Sequence, residues 1–134
     1  MTAIVRRAAF AALAFAAAPF AAEACSCRPY HDVIEQIEAS DLIFKGRAIG
    51  TQGNDQSRVA TTFQVLETLK GDPGPTARIT HRLPDGASCG IAFAPGQTLI
   101  VVAQKRAEDN SLATSECAIG RFGEGEYRRV LGPR

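Results

Sequence analysis

A Cys-Ser-Cys tripeptide, Cys25 to Cys27, constrains this chain more than any other feature of its sequence. Cys89 and Cys117 bring the total to four cysteines, and an even number is typical of disulfide pairing in an oxidising compartment. A bridge between Cys25 and Cys27 would close a ring too small for ordinary disulfide geometry. Each N-terminal cysteine is therefore expected to pair with Cys89 or Cys117, and the spacing leaves both arrangements open.

The residues before Cys25 are typical of a secretory leader. Two arginines at positions 6 and 7 precede an apolar run over residues 8–20, and small residues follow up to Ala24. We therefore predict a signal peptide over residues 1–24, so that the mature domain, residues 25–134, begins at Cys25. The protein is then exported to the periplasm or to the extracellular medium.

A cysteine directly after a leader can also be the lipid attachment site of a bacterial lipoprotein. The preceding segment lacks the leucine expected at such a site, and a charged residue such as Glu23 is not typical of it. A Cys25 sulfur that carries lipid could not also form a disulfide, so the two models exclude each other. We expect the disulfide form, and no membrane partner unless Cys25 is lipidated.

Charge and motif content argue against several classes of function. Residues 25–134 carry 13 basic and 13 acidic side chains, so no basic excess is present and no nucleic-acid partner is expected. His31 and His81 belong to no metal-binding pattern, and no serine lies in a nucleophile motif. A reduced Cys-x-Cys could ligate copper or zinc, but export favours disulfides. We expect no enzyme, no cofactor and no metal of the protein's own.

The periodicity of apolar residues predicts a small, mainly β domain. A helix of one or two turns is predicted over residues 31–39, where Val33, Ile34 and Ile37 recur at helical spacing. Alternating or continuous apolar runs then predict five strands, with a polar turn between the first two and a short helix at the end. The strands cover residues 42–49, 59–69, 76–83, 98–103 and 112–119; the turn covers residues 51–57 and the last helix residues 124–131. Short strands without crossover helices predict an OB-like antiparallel β-barrel.

Motifs spread over most of residues 25–121 occur in the order found in a known family. The predicted mature domain begins with Cys-Ser-Cys and Pro29; the segments at residues 39–46 and 63–71 follow, then Cys89-Gly90, Gly96 with residues 99–101, and Cys117. This order resembles the netrin-like module family, and within it the N-terminal domain of the tissue inhibitors of metalloproteinases. The two segments resemble the first two strands of that domain.

The resemblance implies both a disulfide pattern and an activity. Cys25 would pair with Cys89, and Cys27 with Cys117. The amine and carbonyl of Cys25 would chelate the catalytic zinc of a metalloendopeptidase, the expected partner, while Ser26 enters the pocket beside that zinc. Because the amine must be neutral to donate its lone pair, binding should weaken in acid. The rest of the contact ridge would be Cys27, Arg28, Asp85, Gly86, Ala87 and Ser88.

The chain also departs from the family pattern. It lacks the third disulfide, whose first cysteine would fall near Glu38, and the loop over residues 50–58 is short. It also lacks the cysteine-rich C-terminal subdomain of the animal inhibitors. Netrin-like modules occur in proteins that inhibit no protease as well, so the alternative function is a non-inhibitory, exported binding or structural module.

Overall fold

The computed structural model describes residues 25–86 and 88–132, so that the predicted signal peptide and Ala87 lie outside the described residues. The predicted mainly β domain, with one short helix before the strands and one after them, is confirmed. In chain order the described elements are helix α1 (Val33–Glu38), strands β1 (Leu42–Asp55), β2 (Arg58–Lys70), β3 (Thr76–His81), β4 (Thr98–Lys105) and β5 (Leu112–Ala113), and helix α2 (Glu124–Leu131). Neither described helix is long and apolar enough to cross a membrane.

The five strands form a closed sheet, in which the last strand of the order pairs with the first. Their order is β1-β2-β3-β5-β4, and β4 pairs again with β1. All of these pairs are antiparallel except β3 with β5, which run parallel through Thr80 and Ala113. The prediction of an entirely antiparallel arrangement is wrong at this pair. An odd number of strands cannot alternate in direction around a closed circuit, so one pair has to be parallel.

The first hairpin is longer than the sequence pattern predicts. The pairing of β1 with β2 continues from Ile43 opposite Lys70 to Asp55 opposite Arg58. Most of the predicted turn over residues 51–57 is therefore strand, and Ser57 closes the tip by donating its backbone N–H to the Asp55 carboxylate at 2.9 Å. Residues 51–58 are exposed, and a solvated ribbon needs no apolar alternation.

The fifth strand is shorter than predicted. It covers Leu112–Ala113 instead of residues 112–119. The Thr114 hydroxyl donates to the Val102 carbonyl at 2.7 Å, and the Ala118 N–H then donates to the Ser115 carbonyl at 3.0 Å. The chain therefore turns away from the sheet directly after β5, which brings Cys117 toward the N-terminal segment.

Both faces of the first part of β1, Leu42 to Phe44, are buried. Phe44 packs edge to face on Phe63 with ring centroids 5.8 Å apart, and Phe63 packs in the same way on Phe93 at 5.1 Å. Ile43, the neighbour of Phe44 in the strand, belongs to a second cluster on the opposite face, which contains Ile37 of α1 and Tyr127 of α2. Successive strand residues point to opposite faces, so each face receives its own apolar layer.

A buried polar contact joins the two helices. Gln36 of α1 and Tyr127 of α2 are 0% and 1% exposed, and the tyrosine hydroxyl donates to the Gln36 side-chain oxygen. The Gln36 amide nitrogen donates to the Ala118 carbonyl at 2.9 Å. Burial raises the pKa of Tyr127 to about 12. The contact fixes α2 against α1 and against the segment that carries Cys117.

Ion pairs at the surface add a second attachment for α2. Arg128 lies 2.5 Å from a carboxylate oxygen of Glu67 on β2 and 2.5 Å from one of Glu124, and Lys45 on β1 lies 3.3 Å from Glu124. Hydrogen bonds from Arg128 lower the pKa of both carboxyls. These side chains are about one-third exposed, so each pair contributes modestly to stability.

We predict that Tyr127→Phe destabilises the domain by about 1–3 kcal/mol, because the Gln36 oxygen loses its buried donor. Chemical denaturation at neutral pH measures the loss, and Tyr30→Phe, at a half-buried site, serves as the control.

Because the pKa of Tyr127 lies above its ordinary value of 10.0, the wild type should lose stability relative to Tyr127→Phe as the pH rises from about 10 to about 12. Equal pH dependence in the two proteins would contradict this assignment.

Candidate functional site

Two disulfides attach the N-terminal segment to the domain. Cys25 pairs with Cys89 and Cys27 with Cys117, at Cα–Cα distances of 5.0 and 5.3 Å. The pairing that the family resemblance implies is therefore confirmed, and no cysteine is left free. The bridges join residues 64 and 90 positions apart in the sequence, so both connect the chain start to distant parts of the fold.

The two bridges lie directly against each other. The Cys25 sulfur is 3.9 Å from the Cys27 sulfur and 3.8 Å from that of Cys117. All four sulfurs, including that of Cys89, lie within 4.8 Å of one another. Each of the four residues is half-buried. The bridges therefore form one sulfur cluster instead of two separate links, and we call it the four-sulfur cluster.

The residues between and after the N-terminal cysteines are open to solvent. Ser26 and Arg28 are exposed, whereas Cys25 and Cys27 on either side of Ser26 are half-buried. The serine is thus accessible while its immediate neighbours are covalently fixed.

The predicted second half of the contact ridge forms a tight polar turn. The Asp85 carboxylate accepts hydrogen bonds from the backbone N–H of Ser88 at 2.8 Å and from its hydroxyl at 2.9 Å. Gly86 has φ +79, a backbone conformation that suits glycine. Asp85 and Gly86 are exposed and Ser88 is half-buried; Ala87 lies outside the described residues.

A cleft of about 550 Å³ lies where the N-terminal segment meets this loop. Its walls include Cys25, Cys27, Gly86 and Ser88 from the predicted site, together with Glu116 and Arg121. Ser26, Arg28 and Asp85 are exposed but do not belong to the described lining. The structure thus brings four predicted residues together around one depression.

His81 and Gly90 hold the loop that carries Cys89. His81 is buried, with Nδ1 2.8 Å from the Ile91 carbonyl and Nε2 2.7 Å from the Thr61 hydroxyl. A carbonyl can only accept, so Nδ1 carries the proton and donates it. A Cβ at Gly90 would overlap the Leu83 carbonyl oxygen. Only glycine fits there, which explains the Cys-Gly pair in structural terms.

Sequence reasoning missed Glu116 and Arg121 as parts of the site. The Arg121 side chain donates from Nε to the Cys117 carbonyl at 2.9 Å, and the Glu116 N–H donates to the Cys89 carbonyl at 3.2 Å. Neither residue belongs to a motif; their place depends on the turn of the chain after β5. The one signal in the sequence that could have suggested Glu116 and Arg121 as site residues is their closeness to Cys117 along the chain.

Comparison with known proteins adds no relative. No protein-family model matches the chain, and no curated protein matches it significantly. A function for this chain is therefore inferred from the geometry of the site and from the motif order.

We predict that removing either bridge destabilises the domain by about 4 kcal/mol in the chain-entropy model. The paired variants Cys25→Ser with Cys89→Ser, and Cys27→Ser with Cys117→Ser, leave no unpaired thiol. Guanidinium denaturation measures the loss, and Ser26→Ala, at an exposed position, should stay within about 0.5 kcal/mol of the wild type. A loss below about 1 kcal/mol in both paired variants would contradict the prediction.

Proposed function

We propose that this protein is an exported inhibitor of zinc metalloendopeptidases, similar to the N-terminal domain of the tissue inhibitors of metalloproteinases and built on an OB-like, netrin-like barrel. The strand order supports the fold, because β5 lies between β3 and β4 in the sheet. Such an order is typical of a Greek-key barrel. The disulfide pattern supports the family.

One observation carries the functional proposal: the exposed Ser26 lies between two cysteines that are each bridged to the domain. The segment is ordered before it meets a partner, so little conformational entropy is lost on binding. Gly86 and Ser88 border the cleft that Cys25 and Cys27 also line, and they supply a second contact.

The chemistry needs no metal of the inhibitor's own. Once the leader is removed, the α-amine and the carbonyl oxygen of Cys25 form a five-membered chelate with a metal ion. A catalytic zinc keeps a coordination position open for water or substrate, and the chelate occupies it. Ser26, small and polar, enters the adjacent pocket of the protease, while Arg28 and the loop residues contact its rim.

The decisive experiment titrates a panel of zinc endopeptidases with protein that starts at Cys25, as verified by mass spectrometry. One alanine added before Cys25 should abolish inhibition, because it converts the amine into an amide that cannot chelate. One alanine added after Arg134 is the matched control and should leave inhibition unchanged. Equal potency of the two extended forms would exclude the chelation mechanism. Absence of inhibition across the panel would favour the non-inhibitory module.

A substitution at Ser26 tests the pocket contact separately. Ser26→Trp should weaken inhibition by at least about tenfold, because a large side chain is excluded from the pocket beside the zinc. Gln64→Trp, at an exposed position of β2, is the control for an added aromatic surface and should not change inhibition. Unchanged potency of Ser26→Trp would contradict the assigned role.

Inhibition should also weaken as the pH falls below about 7.7, the ordinary pKa of an α-amine, because the protonated amine has no lone pair to donate. The inhibition constant of the form that starts at Cys25, corrected for the pH dependence of the protease itself, measures this effect. A flat profile between about pH 6 and 8 would contradict amine chelation.

A further inference from the structure

The four-sulfur cluster is more compact than two independent bridges require. We propose that, when both disulfides are reduced, the four thiolates of Cys25, Cys27, Cys89 and Cys117 bind one zinc ion tetrahedrally. This inference concerns the reduced protein and does not rest on the proposed inhibitory function. The oxidised protein keeps its sulfurs in the two bridges and binds no metal through them.

The distances between the bridges already suit such a site. A zinc–sulfur bond of about 2.3 Å places the sulfurs of a tetrahedral site about 3.8 Å apart. The Cys25 sulfur lies 3.8 Å from that of Cys117 and 3.9 Å from that of Cys27. No sulfur is more than 4.8 Å from another. Only the two bonded pairs need to separate, which small side-chain rotations achieve once the bonds are cleaved.

Two of the four ligands are held in place without the disulfides. The Glu116 N–H donates to the Cys89 carbonyl at 3.2 Å, which links the segments that carry Cys89 and Cys117. The Thr114 N–H donates to the Thr80 carbonyl of β3 at 3.0 Å. The Ile91 N–H donates at 2.8 Å to the carbonyl of Arg82, directly after β3. In the folded chain these bonds join the Cys89 and Cys117 segments, and a metal bound by the reduced chain would hold Cys25 and Cys27 against them in place of the disulfides.

Hydrogen bonds hold the backbone of Cys117 in place. Its carbonyl accepts from Arg121 Nε at 2.9 Å and its N–H donates to the Ser115 hydroxyl oxygen at 3.2 Å. These contacts fix the position of the residue that carries the sulfur, although they do not involve the sulfur itself. A zinc ion with four thiolates has a net charge of −2, which the Arg121 guanidinium beside the cluster offsets in part and the Glu116 carboxylate opposes.

The exchange balances with a dithiol as the reductant. Each bridge takes two electrons and two protons from one dithiol, which closes to a cyclic disulfide, so two dithiols yield four thiols. Zinc then displaces four protons and remains Zn²⁺ throughout. With a disulfide as the oxidant the sequence reverses: each S–S bond that re-forms passes two electrons to that disulfide, which is reduced to thiols, and takes two ligands from the zinc. The ion is released when both bonds have re-formed. Zinc and the disulfides are thus alternative links between the same four residues.

The test uses wild-type protein reduced with excess dithiol, desalted without oxygen and titrated with Co²⁺ as a spectroscopic probe. We expect one Co²⁺ per chain, with the visible bands of a tetrahedral site and thiolate charge transfer, displacement by an equimolar amount of Zn²⁺, and a β-type far-ultraviolet spectrum. The same chain in urea should bind at least about tenfold more weakly, because the fold positions the ligands. Equal affinity in urea, or one metal per two chains, would overturn the proposal.

Variants identify the ligands. The paired variant Cys27→Ser with Cys117→Ser removes two of the four ligands. It should lower the metal affinity by more than about 10–100-fold, which is the cost of losing an outer contact. His31→Ala removes an exposed imidazole and should bind the metal as the wild type does. Binding by the paired variant at wild-type affinity would exclude a four-thiolate site, as would a reduced wild type that stays unfolded with Zn²⁺. Inhibition assays use the oxidised protein, so their failure would leave this result untouched.

Discussion

The two adjacent disulfides are the constraint on which the site depends. Residues 25–30 belong to neither helix nor strand, so their position follows from the bridges to Cys89 and Cys117. Both partners lie on segments attached to the sheet: Cys89 lies in the loop between β3 and β4, and Cys117 follows β5. Cross-links over such long stretches of chain constrain the unfolded state strongly, and here they also determine which residues surround the cleft.

The sheet can provide this support because both of its faces are covered. The aromatic cluster around Phe63 fills one face, and α1 and α2 cover the other through Ile37 and Tyr127. A domain of this size buries only a limited apolar area on folding, and the two disulfides add to the stability that this burial provides. The Gln36–Tyr127 contact then extends the ordered region from the helices to the segment next to Cys117.

Much of this architecture follows from local sequence. The first helix was predicted from apolar spacing and begins where Asp32 accepts a hydrogen bond from the Glu35 N–H, and the central apolar run over residues 98–103 forms most of β4. The family resemblance implies the disulfide partners, because the spacing of the cysteines alone leaves two arrangements open.

Other features depend on tertiary contacts that no local pattern encodes. The solvated end of the β1–β2 hairpin has no apolar periodicity, and the parallel β3–β5 pair follows from closure of the circuit. The same holds for His81, whose neighbours in sequence give no sign that its ring holds Ile91. Glu116 and Arg121 reach the cleft only because the chain leaves the sheet after Ala113.

The long β1–β2 hairpin has a further consequence. The Gln56 carbonyl at its tip accepts a hydrogen bond from the Leu83 N–H at 2.8 Å, and Leu83 immediately precedes the loop that borders the cleft. The β1–β2 hairpin therefore supports that loop. Lengthening or shortening this hairpin would therefore be transmitted to the neighbourhood of Cys89, so that insertions or deletions outside the cleft can change its shape.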